Sequence, residues 1–311
     1  MLQLAGRRHP AWLKIGLSIR IAQDLRLMME PDTSLSYPDQ EERRRVFWSI
    51  YVLDRLCSCG RARPASIIDD HCRVQLPCSE ASFRNGECEK TQTLERTFAP
   101  GKKVAAKLGH LALVVLTASI IGKCAQHGIH DHSQEASRLP PWDSKSEFAS
   151  IYSVLLQLET QFEMGSRIAN ILATNFLVDG VIDTHMAGPY VFSHTLFHMC
   201  QCLLHHPYLL YNQSRALGVK TPASFLNRAL QTCREHANAL STLIQDTNNA
   251  GYLVQFSFMG YCVTVIASIH MLCLQSEDNG IRQSATYSLQ SDINFLNEFS
   301  RYWRTGQTMV C

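Results

Sequence analysis

One stretch of the chain carries most of its information: residues 41–77, EERRRVFWSIYVLDRLCSCGRARPASIIDDHCRVQLP. Its first half places an acidic pair, three arginines, two aromatic residues and an Asp-Arg pair at spacings that predict one helix over 41–59. Glu41 and Glu42 fall in the first turn, where carboxylates are favoured by the helix dipole. The second half, residues 60–82, lacks helical periodicity and predicts an ordered loop.

One face of this helix would carry two arginines and two aromatic residues at helical spacing: Arg44, Trp48, Tyr51 and Arg55. Guanidinium groups can lie over such rings, a contact of about 0.5–2 kcal/mol. Asp54 lies on an adjacent face and could pair with Arg61 or Arg63 of the loop. Two interpretations are open: a clamp between helix and loop that supports the fold, and an arginine-lined surface for a ligand or a DNA backbone. The clamp is favoured because Asp54 and the acidic pair offset much of the charge.

The rest of the chain predicts an all-α fold. Apolar periodicity and end signals predict helices over 12–29, 102–125, 144–170, 191–211 with a break at Pro207, 221–245, 249–275 and 284–304. The polar segment 126–142 predicts a surface connection, and we find no alternating strand pattern of useful length. In the first helix two apolar stripes predict burial between neighbours on two sides. Residues 1–311 are therefore expected to form a single multi-helical domain.

Composition excludes some classes of protein. With 46% hydrophobic and 18% charged residues the chain is typical of a folded domain and not of a disordered one. A net charge of +2 is too balanced to mark a nucleic-acid-binding domain by itself. The 12 cysteines are scattered, and no C-x2-C pair occurs, so we expect reduced and mostly buried thiols instead of a disulfide framework or a zinc cluster.

Two further interpretations are open on other segments. The region 194–206 is rich in metal-ligating residue types: His194, His198, Cys200, Cys202, His205 and His206. An all-α metal-dependent enzyme is the alternative function that this region suggests, although no carboxylate lies between residues 184 and 234 and histidines packed in a core are favoured. Residues 253–274 are apolar enough to span a membrane, but polar interruptions and the lack of flanking lysine or arginine favour a buried helix.

The order and spacing of these residues resemble the fungus-specific transcription factor regulatory domain, or middle homology region, of zinc binuclear-cluster transcription factors. The family's upstream Ala-Trp helix corresponds to Ala11-Trp12 and the apolar positions of 16–28, where Arg26 and Met28 replace the usual Gly and His. Its hallmark segment corresponds to Glu41, Arg43–Arg45, Phe47-Trp48, Tyr51, Leu53–Arg55 and Ser58. Its Gly-Arg-Pro and Val-x-Leu-Pro motifs correspond to Ala62-Arg63-Pro64 and Val74–Pro77, with Ala62 in place of glycine and His71 and Arg73 at commonly acidic positions. The resemblance is strongest over residues 11–78.

This resemblance implies an all-α regulatory domain that is N-terminally incomplete relative to the family and lacks the six-cysteine DNA-binding cluster. It implies a nuclear, non-enzymatic transcriptional regulator, of a kind that often controls secondary-metabolite or nutrient pathways. The implied partners are transcription factors or coregulators, a second copy of the chain, or a small-molecule effector. DNA would be contacted indirectly or through a module outside the chain, and no membrane is expected.

The resemblance also assigns the sites. No cofactor is expected in this chain, and zinc only if a six-cysteine cluster precedes it. No catalytic or metal-binding residues are expected. The family-motif residues are expected to be structural: Arg44, Trp48, Tyr51, Asp54, Arg55, Arg63, Pro64, Leu76 and Pro77.

Overall fold

A computed structural model describes residues 8–59, 63–98, 108–129, 139–252 and 256–303. The described residues contain twelve α-helices: α1 (Arg8–Asp24), α2 (Tyr37–Cys57), α3 (Glu80–Asn85), α4 (Leu94–Thr97), α5 (His110–Gly128), α6 (Glu147–Phe162), α7 (Ile168–Asn175), α8 (Thr184–Leu204), α9 (Pro207–Ala216), α10 (Ala223–Asn249), α11 (Met259–Cys273) and α12 (Asn279–Tyr302). A 3-10 turn, Asp69–His71, and a two-stranded hairpin, β1 (Leu177–Val178) with β2 (Val181–Ile182), complete the described elements. The all-α prediction is confirmed.

Helix α5 lies at the centre of the domain. It packs against α8 on one side and α2 on another, and α8 in turn packs against α10. Almost every residue from Ala112 to Ile121 is buried, so this helix is apolar on all sides. Among the described residues it is the one helix long and apolar enough to cross a membrane, and 72% of its most apolar window is buried inside the fold. The apolar segment predicted over 249–275 forms the shorter α11, of 15 residues.

Helix ends differ from the sequence prediction where side-chain caps decide them. Helix α2 begins four residues earlier than expected because the Ser36 hydroxyl accepts a hydrogen bond from Asp39 N at 3.3 Å, and a proline occupies the first turn. Helix α6 is capped at its N-terminus by Ser146. Its C-cap residue is Glu163, whose left-handed backbone, with a φ of 50°, divides the helix predicted over 144–170 into α6 and α7. The break at Pro207 is confirmed, since this residue opens α9.

Helix α10 has no side-chain cap at its N-terminus. Its N-cap residue is Pro222 and not the expected Thr221, and no side chain accepts from its first amides. The predicted start of α5 and much of the predicted 126–142 connection fall within 99–107 and 130–138, which lie outside the described residues. Residues 126–128 belong to α5.

The small hairpin was missed by the sequence reasoning. Its turn is Asp179-Gly180, with φ of 51° and 78°, the backbone of a type I′ turn for which Asp-Gly is a favoured sequence. The two strands pair Leu177 with Ile182 and Val178 with Val181. Strands of two residues are too short to show an alternating pattern, so the dipeptide was the available signal.

Helix α1 buries only one of its two apolar stripes. Ile19 and Ala22 are buried against the core, as expected. Leu17, Ile21 and Leu25 are 61%, 51% and 51% exposed, so the prediction that both sides are buried is wrong for the described residues. The periodicity of the sequence identifies both stripes but cannot tell which of them has a partner helix.

The cysteines lie largely in the core. The eleven within the described residues are free, and nine of them are buried: Cys59, Cys72, Cys78, Cys124, Cys200, Cys202, Cys233, Cys262 and Cys273. Burial raises the pKa of several of these thiols, that of Cys59 to about 12, which keeps them protonated and weakly reactive.

Candidate functional site

The hallmark residues of α2 contact residues 66–80, and we call this arrangement the α2 clamp. At the C-terminal end of α2, Asp54 Oδ2 accepts hydrogen bonds from Ile67 N at 2.9 Å and Ser66 N at 3.0 Å. Arg55 Nη2 donates to Ile67 O at 2.7 Å, and Arg55 Nη1 lies 3.1 Å from Asp54 Oδ2. Asp54 therefore binds the backbone amides, and Arg55 the backbone carbonyl, of the same short loop segment.

Asp69 joins this end of the clamp from the 3-10 turn. Its Oδ1 accepts from Tyr51 OH at 2.6 Å and from Arg55 Nη2, while its Oδ2 accepts from Ser119 Oγ of α5 at 3.0 Å. Burial opposes ionisation of this carboxyl, but the Arg55 charge and the hydrogen bonds outweigh it, so the pKa of Asp69 is lowered. Arg55 Cζ lies 4.3 Å from the centre of the Tyr51 ring, which is the stacking that the sequence predicted.

The middle of the clamp is aromatic. Trp48 is fully buried, and its Nε1 donates to Gln75 O at 2.7 Å. Its ring meets Phe47 and Tyr51 edge-on, with centroids 5.0 and 5.2 Å away. Leu76 is buried beside it, so this part of the loop supplies both a backbone acceptor and an apolar contact.

The N-terminal end of the clamp is a buried charge network around Glu41, which is 1% exposed. Its carboxylate accepts from Arg45 Nε at 3.1 Å and Cys78 N at 3.0 Å, and lies 3.4 Å from Arg44 Nη1. Arg45 Nη1 pairs with Glu80 at 2.6 Å. A residue expected to favour only the helix dipole is thus an acceptor for two arginines and the loop backbone.

Glu30 extends this network to the segment after α1. Arg44 Nη2 lies 2.8 Å from Glu30 Oε2, and the other oxygen of Glu30 accepts from Gln75 N. Arg73 N also donates to Met28 O at 2.9 Å. The loop is therefore held from both sides, by α2 and by the segment that connects α1 to α2.

Several predicted contacts differ in the structure. Arg63 does not pair with Asp54; its Cζ lies 5.7 Å from the centre of the Trp12 ring, and Asp54 binds loop amides instead. Arg44 pairs with carboxylates and not with the Trp48 ring. Pro64 is exposed and Pro77 is buried, while Arg61 and Ala62 lie outside the described residues. That the family-motif residues are structural stays a prediction.

The acidic partners were missed by the sequence reasoning. Glu30, Asp69 and Glu80 pair with Arg44, Arg55 and Arg45 across 14, 14 and 35 residues. Asp69 lies in a conspicuous Asp-Asp pair, but no local spacing links it to Arg55. Only the tertiary paths of the segment after α1 and of the loop after α2 bring these carboxylates to their arginines.

Two glycines, Gly109 at the N-cap of α5 and Gly122 within it, allow α5 to approach the clamp closely. A Cβ at Gly122 would lie 2.6 Å from Arg55 Cδ, and a Cβ at Gly109 would lie 2.9 Å from Cys78 O. Both distances are shorter than real Cβ contacts. The clamp is therefore packed against α5 where side chains other than hydrogen would not fit.

The His/Cys-rich region of α8 does not form one cluster. His194 Nδ1 lies 3.1 Å from Tyr190 O, and His198 Nδ1 lies 2.9 Å from His236 Nδ1 of α10. Burial lowers the pKa of His194 and of His236 to about 4. Within the described part of the chain no group of three or more His, Cys, Asp or Glu residues is arranged to hold a metal ion.

The other members of the region are also separated. Cys200 Sγ lies 3.7 Å from Thr117 O of α5, whereas Cys202 Sγ lies 3.8 Å from Cys233 O of α10. His206 Nε2 lies 3.5 Å from Ser268 Oγ of α11. Cys200 and Cys202 thus join α8 to α5 and α10, and His206, which precedes α9, contacts α11; nothing in this arrangement supports the metal-enzyme alternative.

Sequence comparison identifies the family of the chain. The fungal specific transcription factor domain family matches residues 2–235. The chain belongs to this family. It is 25% identical, over 96% of its own length, to the Zn(2)-C6 fungal-type transcription factor FTF1c of Fusarium oxysporum, of which it covers 33%. It is 23% identical, over 98% of its length, to a transcriptional regulatory protein of Schizosaccharomyces pombe, of which it covers 48%.

The chain thus spans between a third and a half of the length of these curated relatives. No solved structure matches the chain. The family match includes α1, the α2 clamp, α5 and α8, so the buried network described above lies inside the family domain.

Proposed function

We propose that this chain is the regulatory domain of a fungal zinc-cluster-type transcription regulator and acts in the nucleus through protein partners. DNA would be contacted by those partners or by a zinc-cluster module outside the chain. The names of the relatives, which describe zinc-cluster transcription factors and a transcriptional regulatory protein, support this assignment. Self-association and a small-molecule effector are further proposed modes of control, and secondary-metabolite or nutrient genes are the proposed targets.

One observation supports the proposal that DNA is read by a separate module and not by this domain. Arg44, Arg45 and Arg55 are turned into the fold, and each has a carboxylate partner within 3.4 Å. Arginines that bind phosphates must present their guanidinium groups to solvent. These three arginines are engaged by carboxylates of the fold, and we propose that they are structural and that the chain alone does not read DNA sequence.

The chemistry of the chain is proposed to be non-enzymatic. Histidines and cysteines that could serve catalysis are distributed among separate helix contacts and lie in the core. We propose that the chain needs neither a metal nor a cofactor of its own. Zinc would belong only to a six-cysteine cluster encoded outside it.

A tethering experiment tests the regulatory role. Residues 1–311 are fused to a heterologous DNA-binding domain, and expression of a reporter with the matching operator is compared with that for the DNA-binding domain alone. We expect the fusion to change reporter expression, upward for an activator and downward for a repressor. Asp54→Ala should abolish this change, whereas Glu42→Ala, an exposed position on the same helix, should retain it. A fusion that is present at normal levels but leaves expression unchanged contradicts the proposal.

Selection from a randomised DNA library tests the absence of sequence reading. The purified chain is incubated with the library at about physiological salt, where non-specific binding is weak. We expect no enriched sequence after repeated rounds. Enrichment of a defined operator would show that the chain itself reads DNA and would overturn this part of the proposal.

A further inference from the structure

A cavity of about 490 Å³ lies between the N-terminal halves of α6 and α10. The turn at 141–144 forms one wall, and the C-cap residue of α8, His205, contributes to the lining. Pockets of about 300–1,000 Å³ with mostly apolar walls and a few polar groups are the usual sites for small molecules. None of the hallmark residues contributes to this cavity, so it is distinct from the α2 clamp.

The walls of the cavity are aromatic and already packed. Phe225 of α10 meets Trp142 and Phe148 edge-on, with ring centroids 5.8 and 5.5 Å away. The His205 ring meets Phe148 and Tyr152 edge-on at 5.3 and 5.0 Å. Rings that hold one another in place keep the cavity open without a ligand, and their faces favour a flat, apolar guest.

His205 supplies an acceptor with a defined tautomer. Its Nδ1 lies 3.0 Å from Gln201 O, and a carbonyl can only accept, so the proton is on Nδ1. The residue is 4% exposed, and burial lowers its pKa to about 4, which leaves the ring neutral at pH 7. Nε2 then carries a lone pair and has no hydrogen-bond partner in the described part of the chain. An unpaired acceptor that is open to a cavity can accept a hydrogen bond from a donor on the guest.

Other residues of the lining favour one negative charge. Arg228 lines the cavity, is exposed, and makes no ion pair with any described residue. Pro222 and Ser224 at the N-terminus of the 27-residue α10 also line the cavity, and no side chain caps this end, which leaves the positive end of the helix dipole available. Asp143 is the one acid in the lining, and it opposes a second negative charge.

We propose that this cavity binds a small, flat aromatic acid that donates a hydrogen bond to His205 Nε2 and places its carboxylate near Arg228 and the start of α10. A molecule of one or two fused rings that carries a hydroxyl and a carboxylate fits within this volume and complements the polar groups of the lining. This inference deepens the proposed function and rests on it, since the guest would be the effector of the regulatory domain.

A matched pair of probes tests the chemistry: 6-hydroxy-2-naphthoate and its methyl ether, 6-methoxy-2-naphthoate. Titration calorimetry with the purified chain should give one site for the hydroxy acid. The methyl ether, which cannot donate, should bind up to about tenfold more weakly, the usual net contribution of one hydrogen bond. His205→Phe should weaken the hydroxy acid to the level of its ether. Equal affinities for the two probes, or no binding of the hydroxy acid, would overturn the proposal.

Two substitutions on α6 locate the binding. Ser153→Trp fills the cavity from an exposed position in its lining and should abolish binding, while Ser150→Trp, exposed on the same helix outside the lining, should not. Circular dichroism checks that both variants are folded. Binding that survives Ser153→Trp overturns the assignment to this cavity. Because binding is measured on the purified chain, its failure with an intact reporter response would refute the effector and leave the regulatory role standing.

Discussion

The α2 clamp and the contact between α8 and α10 both bury polar side chains, but with opposite chemistry. In the clamp Glu41, Asp54 and Arg55 are 1%, 4% and 5% exposed and meet partners of opposite charge. Between α8 and α10 the buried polar groups are imidazoles and thiols, such as His198, whose pKa is lowered well below the ordinary value by burial and by neighbouring histidines. One region buries charge by pairing it, and the other buries polar groups by keeping them neutral.

This difference decides how each region responds to change. Removing one member of a buried ion pair leaves an uncompensated charge, so the clamp should be sensitive to single substitutions. A neutral imidazole can be replaced by a ring of similar size at small cost, but protonation forces a charge into the core. The clamp should therefore fail by mutation, and the α8–α10 contact should fail by acid.

The largest expected effect is that of Asp54→Ala. The substitution leaves Arg55 buried with one carboxylate fewer and leaves the amides of Ser66 and Ile67 without acceptors. We expect the free energy of unfolding in urea to fall by about 3–5 kcal/mol. Glu42→Ala, exposed in the same helix, is the control and should change it by less than about 0.5 kcal/mol. Similar unfolding curves for the two variants would mean that the clamp does not stabilise the fold.

The second prediction sharpens the role of α5 in the clamp. Gly122→Ala places a Cβ 2.6 Å from Arg55 Cδ, and Arg55 cannot retreat without losing Ile67 O and Asp69. Overpacking of this kind costs about 1–3 kcal/mol. Gly16→Ala in α1 has no atom within 4 Å of its new Cβ and should instead stabilise by about 0.5–1 kcal/mol. Thermal melts of the two variants should move in opposite directions.

The third prediction uses pH to separate the two regions. Because burial lowers the pKa of His194 to about 4, the unfolded chain takes up a proton near pH 6.5 before the folded chain does. Stability is therefore fully present above pH 6.5 and falls toward pH 4, by up to about 1.4 kcal/mol per pH unit for each such histidine. His194→Phe should reduce the slope of the unfolding free energy against pH by up to about 1.4 kcal/mol per pH unit, which corresponds to one proton. Urea unfolding between pH 7 and 5 measures this slope.

His185→Phe is the control, since this histidine is exposed in the first turn of the same helix. An equal change of slope in both variants would contradict the assignment to burial. Asp69 of the clamp has a lowered pKa, so its contribution is present above about pH 3.8 and is lost only below it. Acid between pH 6.5 and 5 should thus leave the clamp ionised while it weakens the packing of α8 around His194.

The sequence predicted the α2 residues that form the clamp better than it predicted the acidic residues that pair with them. The face of α2 and the Arg55–Tyr51 contact follow from helical spacing, which is local. The acids that neutralise the arginines lie up to 35 residues away, and their positions depend on the paths of the segment after α1 and of the loop after α2. The same limit explains α1: spacing shows two apolar stripes, yet only tertiary contacts decide that Leu17 and Ile21 stay exposed.

The last and smallest effect concerns a residue that departs from the family pattern. Arg26 stands where the family usually has glycine, and it has a φ of 54°, the left-handed conformation. It follows α1 in a Schellman motif, in which Arg26 N donates to Gln23 O at 3.1 Å and Leu27 N to Ala22 O at 2.9 Å. The left-handed conformation costs a residue with a Cβ about 1–2 kcal/mol. Glycine avoids this strain but loses more conformational entropy on folding, which offsets part of the stabilisation. Arg26→Gly should therefore raise the free energy of unfolding by about 0.5–1 kcal/mol. Arg20→Gly, the same change within α1, should lower it by about 1 kcal/mol. Loss of stability in both variants would mean that the Arg26 side chain makes a contribution greater than the strain of its backbone.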